Sequence, residues 1–166
     1  MKKLLLTTVF SLLIAISAIA QDSGTTGNLT WNFDSGTGIL TISGEGAMPN
    51  YNWEDSYSPW NSYRFSITHV NITDGVTSIG ESAFWGCTSL ESISLPESVT
   101  SIGYEAFYYC TSLTSIIFPE GLTSIGEWAF SSCRALVSVT LPQGLTSIEG
   151  GAFSICTNLT PNANIM

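Results

Sequence analysis

Basic residues are nearly missing from this chain. Four lysines and arginines stand against 13 acidic residues in 166, a net charge of −9 at pH 7, and two of the four, Lys2 and Lys3, lie at the extreme amino terminus. Beyond Ala20, Arg64 and Arg134 alone oppose all 13 acids, a net charge of −11. Phosphate recognition needs a basic face, so neither nucleic acid nor an anionic lipid surface is an expected partner. Histidine is scarcer still. The one copy, His69, falls where the later repeats carry Ser92, Ser115 and Ser138, a position that should face away from the core. No Gly-rich phosphate loop, HExxH or GxSxG motif appears, and the acids form no convergent pair for glycoside hydrolysis. The chain reads as a non-enzyme that needs no cofactor.

Long apolar runs are also lacking beyond Ala20. MKKLLLTTVFSLLIAISAIA has two lysines in front, an apolar middle and Ala18-Ile19-Ala20 as a small-x-small site, the pattern of an export signal cleaved after Ala20. Thr7, Thr8, Ser11 and Ser17 interrupt the apolar run, which disfavours an uncleaved anchor. No lipobox cysteine follows it, and no sorting tail is evident after Asn158. The expected location is outside the cytoplasm: secreted, periplasmic or on the cell surface. The sequons at Asn28, Asn71 and Asn158 are read as coincidental in a chain with a bacterial-type signal.

What the chain has in abundance is repetition. From Val76 onward the same unit returns with a period of 23, starting again at Val99, Leu122 and Leu145: VTSIGESAFWGCTSLESISLPES, VTSIGYEAFYYCTSLTSIIFPEG, LTSIGEWAFSSCRALVSVTLPQG, LTSIEGGAFSICTNLTPNANIM. Apolar columns run through Val76, Val99, Leu122 and Leu145, through Ile79, Ile102, Ile125 and Ile148, through Phe84, Phe107, Phe130 and Phe153, and through Leu90, Leu113, Leu136 and Leu159. Alanine recurs at 83, 106, 129 and 152, and cysteine at 87, 110, 133 and 156. A unit this short cannot close its own core, so copies must stack into a solenoid. Each copy should offer one strand, with Leu90, Ile93 and Leu95 inward and Pro96 ending it for want of an amide hydrogen. VTSIG suggests a second, shorter strand or a turn, and ESAF a single helical or 3₁₀ turn. Gly80, Gly103 and Gly126 read as turn positions.

Three segments follow: 1–20 as the signal, 21–75 as a cap with a degenerate first rung, and 76–166 as four repeats, the last degenerate. In the cap, Leu29, Trp31 and Phe33, then Leu40 and Ile42, alternate with polar residues around DSGTG and predict a β-hairpin. The loop holding Tyr51, Trp53, Tyr57, Trp60, Tyr63 and Phe65 is expected to cover it. Ile67 to Ile72 falls one period before the strand at Leu90 to Leu95 and reads as the degenerate rung. At the other end Pro161, Asn162 and Asn164 break the pattern, which is either a polar cap or the trace of lost repeats. Such an edge invites weak edge-to-edge self-association.

The cysteines are not a metal site. Successive thiols sit one rung apart, about 4.8 Å, so four span roughly 14 Å and cannot converge at the ~2.3 Å zinc requires. Adjacent rungs are close enough for a disulfide. Side chains in a ladder point the same way, which favours buried free thiols.

The pattern IGxxAFxxCxxLxxIxLPxxV, preceded by LTWNFDSGTGILTISGEGAMPNY, PWNSYR and DGVTSIG, resembles the BspA-type leucine-rich repeat family of bacterial surface proteins across nearly everything after Gln21. The resemblance implies a leucine-rich repeat solenoid of the α/β class, with short parallel strands and brief turns. It also implies an exported adhesion or recognition module for host matrix proteins, other cells or glycans; the alternative is a passive structural array or fragment. If binding is the task, two faces compete. One is a hydroxyl-rich strip with Glu91, Ser92, Ser94, Thr114, Ser115, Ile117, Val137, Ser138 and Thr140. The other gathers the aromatics around AFxxC: Trp85, Tyr104, Tyr108, Tyr109 and Trp128, residues of the kind that anchor protein or sugar partners.

Overall fold

The computed structural model describes residues 21–52 and 54–160. The expected signal, Trp53 and the Pro161, Asn162 and Asn164 break lie outside them. Among the described residues twelve short strands follow one another: β1 (Gln21–Thr26), β2 (Leu29–Asp34), β3 (Ile39–Gly44), β4 (Gly46–Ala47), β5 (His69–Ile72), β6 (Val76–Ile79), β7 (Ser92–Ser94), β8 (Ser101–Ile102), β9 (Ser115–Ile117), β10 (Ser124–Ile125), β11 (Ser138–Thr140) and β12 (Ser147–Ile148). β2 and β3 form the predicted antiparallel hairpin, Phe33 opposite Leu40. β1 adds a third strand that sequence did not reveal, because QDSGTT is polar and carries no alternation.

From β3 onward the pairing is parallel. β5 pairs with β3 and then with β7, with His69 opposite Ser92 as the period requires. A second ladder runs through β4, β6, β8, β10 and β12. β9 and β11 pair as a separate two-stranded piece, so the first sheet is interrupted between β7 and β9. There Thr114 still bridges the two, its amide and hydroxyl both reaching Glu91 O at 3.2 and 3.3 Å.

Between the two sheets and the AFxxC turns lies the core. Phe84, Phe107 and Phe130 are fully buried and stack 5.1 and 5.0 Å apart at interplanar angles of 10° and 8°. The column continues to Phe153 at 5.3 Å. In the other direction it begins at Trp60, which lies 5.7 Å from Phe84 and is itself fully buried. Trp60 is therefore the cap's rung of the phenylalanine column. Its aromatic neighbours divide: Tyr51 is buried and Tyr63 stacks on Phe33 at 4.6 Å, whereas Tyr57 and Phe65 are more than half exposed and do not cover the hairpin as expected. In the fourth rung the columns open to solvent, with Ile148 42% exposed where Ile79, Ile102 and Ile125 are buried.

The ESAF segment that opens each AFxxC turn is not the single helical or 3₁₀ turn expected of it. Amides of Ala83, Trp85 and Cys87 donate three residues back, to Gly80 O, Ser82 O and Phe84 O. Those of Ser82, Phe84 and Gly86 instead donate to the next rung, at Tyr104 O, Ala106 O and Tyr108 O. Left-handed residues at both ends force this alternation: Ser82, Glu105, Trp128 and Gly151 at one, Gly86, Tyr109, Ser132 and Ile155 at the other, with φ between 50° and 69°. Non-glycine residues pay for that conformation, and it recurs in every rung, so it belongs to the architecture and marks no special site. Gly80, Gly103 and Gly126 are not left-handed turns either. They are glycine because rungs touch there; a Cβ on Gly126 would lie 2.7 Å from Gly103 C, and one on Gly80 would strike Pro49 O.

Hydroxyls and thiols join the rungs as well. Thr100, Thr123 and Thr146 each donate through Oγ1 to the carbonyl of the threonine one rung before, at 3.2, 2.9 and 2.8 Å. Cys110, Cys133 and Cys156 donate through Sγ–H to Phe84 O, Phe107 O and Phe130 O at 3.2, 3.3 and 3.1 Å. All four thiols are free. Burial pushes the Cys87 thiol up to about 12 and raises Cys110, Cys133 and Cys156 as well, but Cys156 alone is only half-buried and open to reagent. Since alkylation needs an accessible thiolate, native protein at pH 8 should react with iodoacetamide slowly and at Cys156 first, with the other three reacting about tenfold slower or only on unfolding. Mass spectrometry showing equal labelling of all four, or a Cys87–Cys110 linkage without reductant, would contradict this.

A stepped aromatic face as the candidate binding site

Every residue of the hydroxyl strip is at the surface. Glu91, Ser94, Thr114, Ser115, Ser138 and Thr140 are exposed and Ser92 is half-buried. Two apolar members stand out of it, Ile117 at 83% and Val137 at 49% exposure. For Ile117 strand alternation is the cause, since Ile93, Ile116 and Val139 take the inward positions and their immediate neighbours turn away; Val137 stands just before β11, between the buried Leu136 and the exposed Ser138.

Around AFxxC the aromatics assemble into a stack. Trp85 and Tyr108 occupy the same repeat position in adjacent rungs and lie 6.2 Å apart at 7°. Tyr109 packs beside Tyr108 at 6.3 Å, with Arg134 lying 5.9 Å over its ring. Trp128 belongs to another position of the repeat, yet from its left-handed backbone its indole reaches Tyr108 at 6.3 Å and 21°. It takes the place that Ser131, the true successor of Trp85 and Tyr108, leaves vacant. Trp128 and Tyr109 remain 42% and 40% exposed, Trp85 and Tyr108 half-buried. Packing against neighbouring rungs and exposure to a partner are thus both realised: the rings order one another and still present their edges and faces.

Tyr104, the fifth predicted aromatic, is not in this stack. It sits round the corner in a shallow recess of about 310 Å³ with Asn50, Glu81 and the serine row Ser78, Ser101 and Ser124. Burial raises the Tyr104 phenol, and its neighbour Glu105 adds to the shift. Burial likewise raises Glu105, whose Oε2 has no hydrogen-bond partner among the described residues. No sequence signal marks this carboxyl, because its repeat position holds Ser82 and Trp128 in the flanking rungs. The one histidine is exposed, with Nδ1 3.0 Å from Thr68 Oγ1. Among the described residues no three metal-capable side chains cluster and no helix is long and apolar enough to cross a membrane.

A model of the BspA type leucine rich repeat region matches residues 61–165 in six copies. Solved structures of three bacterial proteins are similar. A leucine-rich repeat protein from Eubacterium ventriosum shares 29% identity over 84% of this chain and 43% of its own, with a TM-score of 0.69. The T. pallidum leucine rich repeat protein shares 32% over 80% and 66%, with a TM-score of 0.58. One from Bacteroides ovatus shares 30% over 82% and 39%, also at 0.58. The chain thus spans less than half of the first and third of these. No curated protein matches it.

Proposed function

This chain belongs to the BspA-type leucine-rich repeat family, and from that premise we propose that it is an exported, non-enzymatic recognition module that docks on host matrix proteins, other cells or glycans through its stacked aromatic face. In this reading residues 1–20 direct export, 21–75 cap the array and 76–166 form it. The observation that carries it is the stack of Trp85, Tyr108, Tyr109 and Trp128, which stays partly exposed although a wholly buried alternative exists in the same fold, the phenylalanine column. Rigid, amphipathic rings on a fixed scaffold lose little freedom on binding and supply most of the energy at recognition surfaces. The hydroxyl strip, with Ile117 and Val137, offers a second contact on the same molecule. Weak self-association through the open fourth rung is a further partner of this reading.

A panel of matrix proteins and glycans probed with the mature chain, beside a Trp85→Ala/Tyr108→Ala variant, tests the proposal. Binding by the wild type should fall at least about tenfold in the variant, the loss of two anchoring rings, while its melting curve still shows a cooperative fold. Binding that survives the double substitution would move the site elsewhere; no binding by the wild type would leave a passive spacer.

A further inference from the structure

Beyond Ala20 the chain keeps two cations, Arg64 and Arg134, and the fold brings both to one margin of the aromatic face. They are far apart in sequence, yet Phe65, Thr88, Thr111 and Arg134 fall on a single repeat position, with Gly86 and Tyr109 on the position two residues earlier. Arg64 crosses Gly86, since a Cβ built on that glycine would meet only Arg64 Cδ, at 3.8 Å. Its guanidinium rests 4.2 Å over the ring of Phe65. Arg134 leans back from the third repeat and holds its guanidinium 5.9 Å over Tyr109, the next member of the Gly86 column. The two cations therefore stand one to three rungs apart, about 5–14 Å at the ordinary strand spacing.

The fold does not use either as a charge. Although 13 acids are available, no carboxylate pairs with Arg64 or Arg134 among the described residues. Arg64 Nη1–H donates to Asn61 O at 3.2 Å, and the other guanidinium N–H groups meet no protein acceptor there. Arg134 is exposed and Arg64 half-buried, above rings that are themselves 40% and 59% exposed. A guanidinium laid on an aromatic ring keeps its planar fork of donors open at the edge and has less freedom left to lose when a partner arrives.

We propose that this margin docks an extended acidic segment of a protein partner, two of its carboxylates each taking the fork of one arginine while the segment runs past Gly86 and Tyr109. This deepens the recognition reading, on which it rests, by naming the chemistry met at the edge of the stack. Carboxylate is the group that the paired N–H donors of arginine match. Side chains on one face of an extended chain recur every second residue, about 6.6 Å apart for a separation of two and about 13 Å for four. Both fall within the span between the guanidiniums. A long polyanion fits less well, because past these two cations it meets a chain with 13 acids, and every further charge it carries adds repulsion. A basic segment would be repelled at this margin.

Nitrogen-15 NMR of the mature chain reads the site directly, because its arginine Nε–H region holds the signals of Arg64 and Arg134 alone. The probe is a soluble peptide of alternating glutamate and serine, run beside the same peptide with glutamine for glutamate and beside hyaluronan. Both Nε–H signals should shift and saturate with the glutamate peptide, and its affinity should fall about fivefold or more in Arg64→Gln and in Arg134→Gln. Salt near ~0.5 M should weaken it strongly, since the pairs form at the surface. No shift at either arginine, equal shifts with the glutamine peptide, or an affinity indifferent to both substitutions overturns the inference. Tighter, arginine-dependent binding of hyaluronan, or arginine-dependent dimers of the chain alone in sedimentation, gives the margin another occupant and overturns it too. If it fails while a matrix protein still loses affinity in Trp85→Ala/Tyr108→Ala, the arginine assignment alone is wrong; if no ligand binds in either experiment, the recognition reading fails with it.

Discussion

Replacing Phe107 by alanine is expected to remove about 3–5 kcal/mol of stability, the range for a fully buried phenylalanine, and to lower Tm by roughly 10 °C in a chain of this size. The ring lies between Phe84 and Phe130 at 5.1 and 5.0 Å, so its loss opens a cavity shared by three rungs and removes two stacking contacts at once. No side chain stands ready to fill the space, because Ala106 and Cys110 beside it are small and already buried. Solenoid rungs depend on nearest-neighbour interfaces, so the damage should spread both ways along the axis. Denaturant unfolding measures the effect, and a loss below about 1 kcal/mol, the size of an ordinary surface change, would contradict the column.

Trp60→Ala should be comparably severe, at about 3–5 kcal/mol, but one-sided. Trp60 gives the phenylalanine column its starting ring, and its Nε1–H donates to Ala83 O at 2.8 Å. That carbonyl belongs to the row which, in later rungs, accepts from the amides of the rung before; the Tyr51 amide does the same for Glu81 O at 2.9 Å. Removing Trp60 thus exposes one face of Phe84 and orphans a buried acceptor. Trp60→Phe separates the two contributions: a retained ring without the donor should cost about 1–3 kcal/mol. If Trp60→Ala leaves stability unchanged, or weakens the fourth rung as much as the first, Trp60 is not a cap.

The period of 23 made the columns legible, since a residue type that returns in every copy must meet its own copies when the copies stack. The phenylalanine, leucine and alanine columns, one strand per rung and the outward His69 all followed from it, while the VTSIG segment was open between strand and turn. Trp60 did not, because it stands one position off the period that leads to Phe84 and is a different residue. Thr77, Thr100, Thr123 and Thr146 recur as strictly as the phenylalanines and carried a signal for their hydrogen-bond ladder that composition alone does not interpret. The thiol donation to phenylalanine carbonyls and the alternating amides of AFxxC depend on left-handed backbone at Ser82, Glu105 and Trp128, residues with no preference for it. Of the candidate site, exposure at Ser94, Ser115, Ile117, Ser138 and Thr140 was readable from strand alternation, whereas that of Glu91, Thr114 and Val137, two residues before the inward Ile93, Ile116 and Val139, was not. That Trp128 joins Trp85 and Tyr108 while Tyr104 turns away was not, for the same backbone angles aim those side chains.

Amide hydrogen exchange resolved by residue tests the stacking most directly, because one column of amides reports every interface in turn. Phe84, Phe107 and Phe130 donate to Ala106 O, Ala129 O and Ala152 O, while the Phe153 N–H meets no following rung among the described residues. Phe84 and Phe107 should exchange only through global unfolding, and Phe153 faster by about two orders of magnitude or more. Equal protection at Phe107 and Phe153, or rapid exchange at both, would contradict the stacking of the rungs.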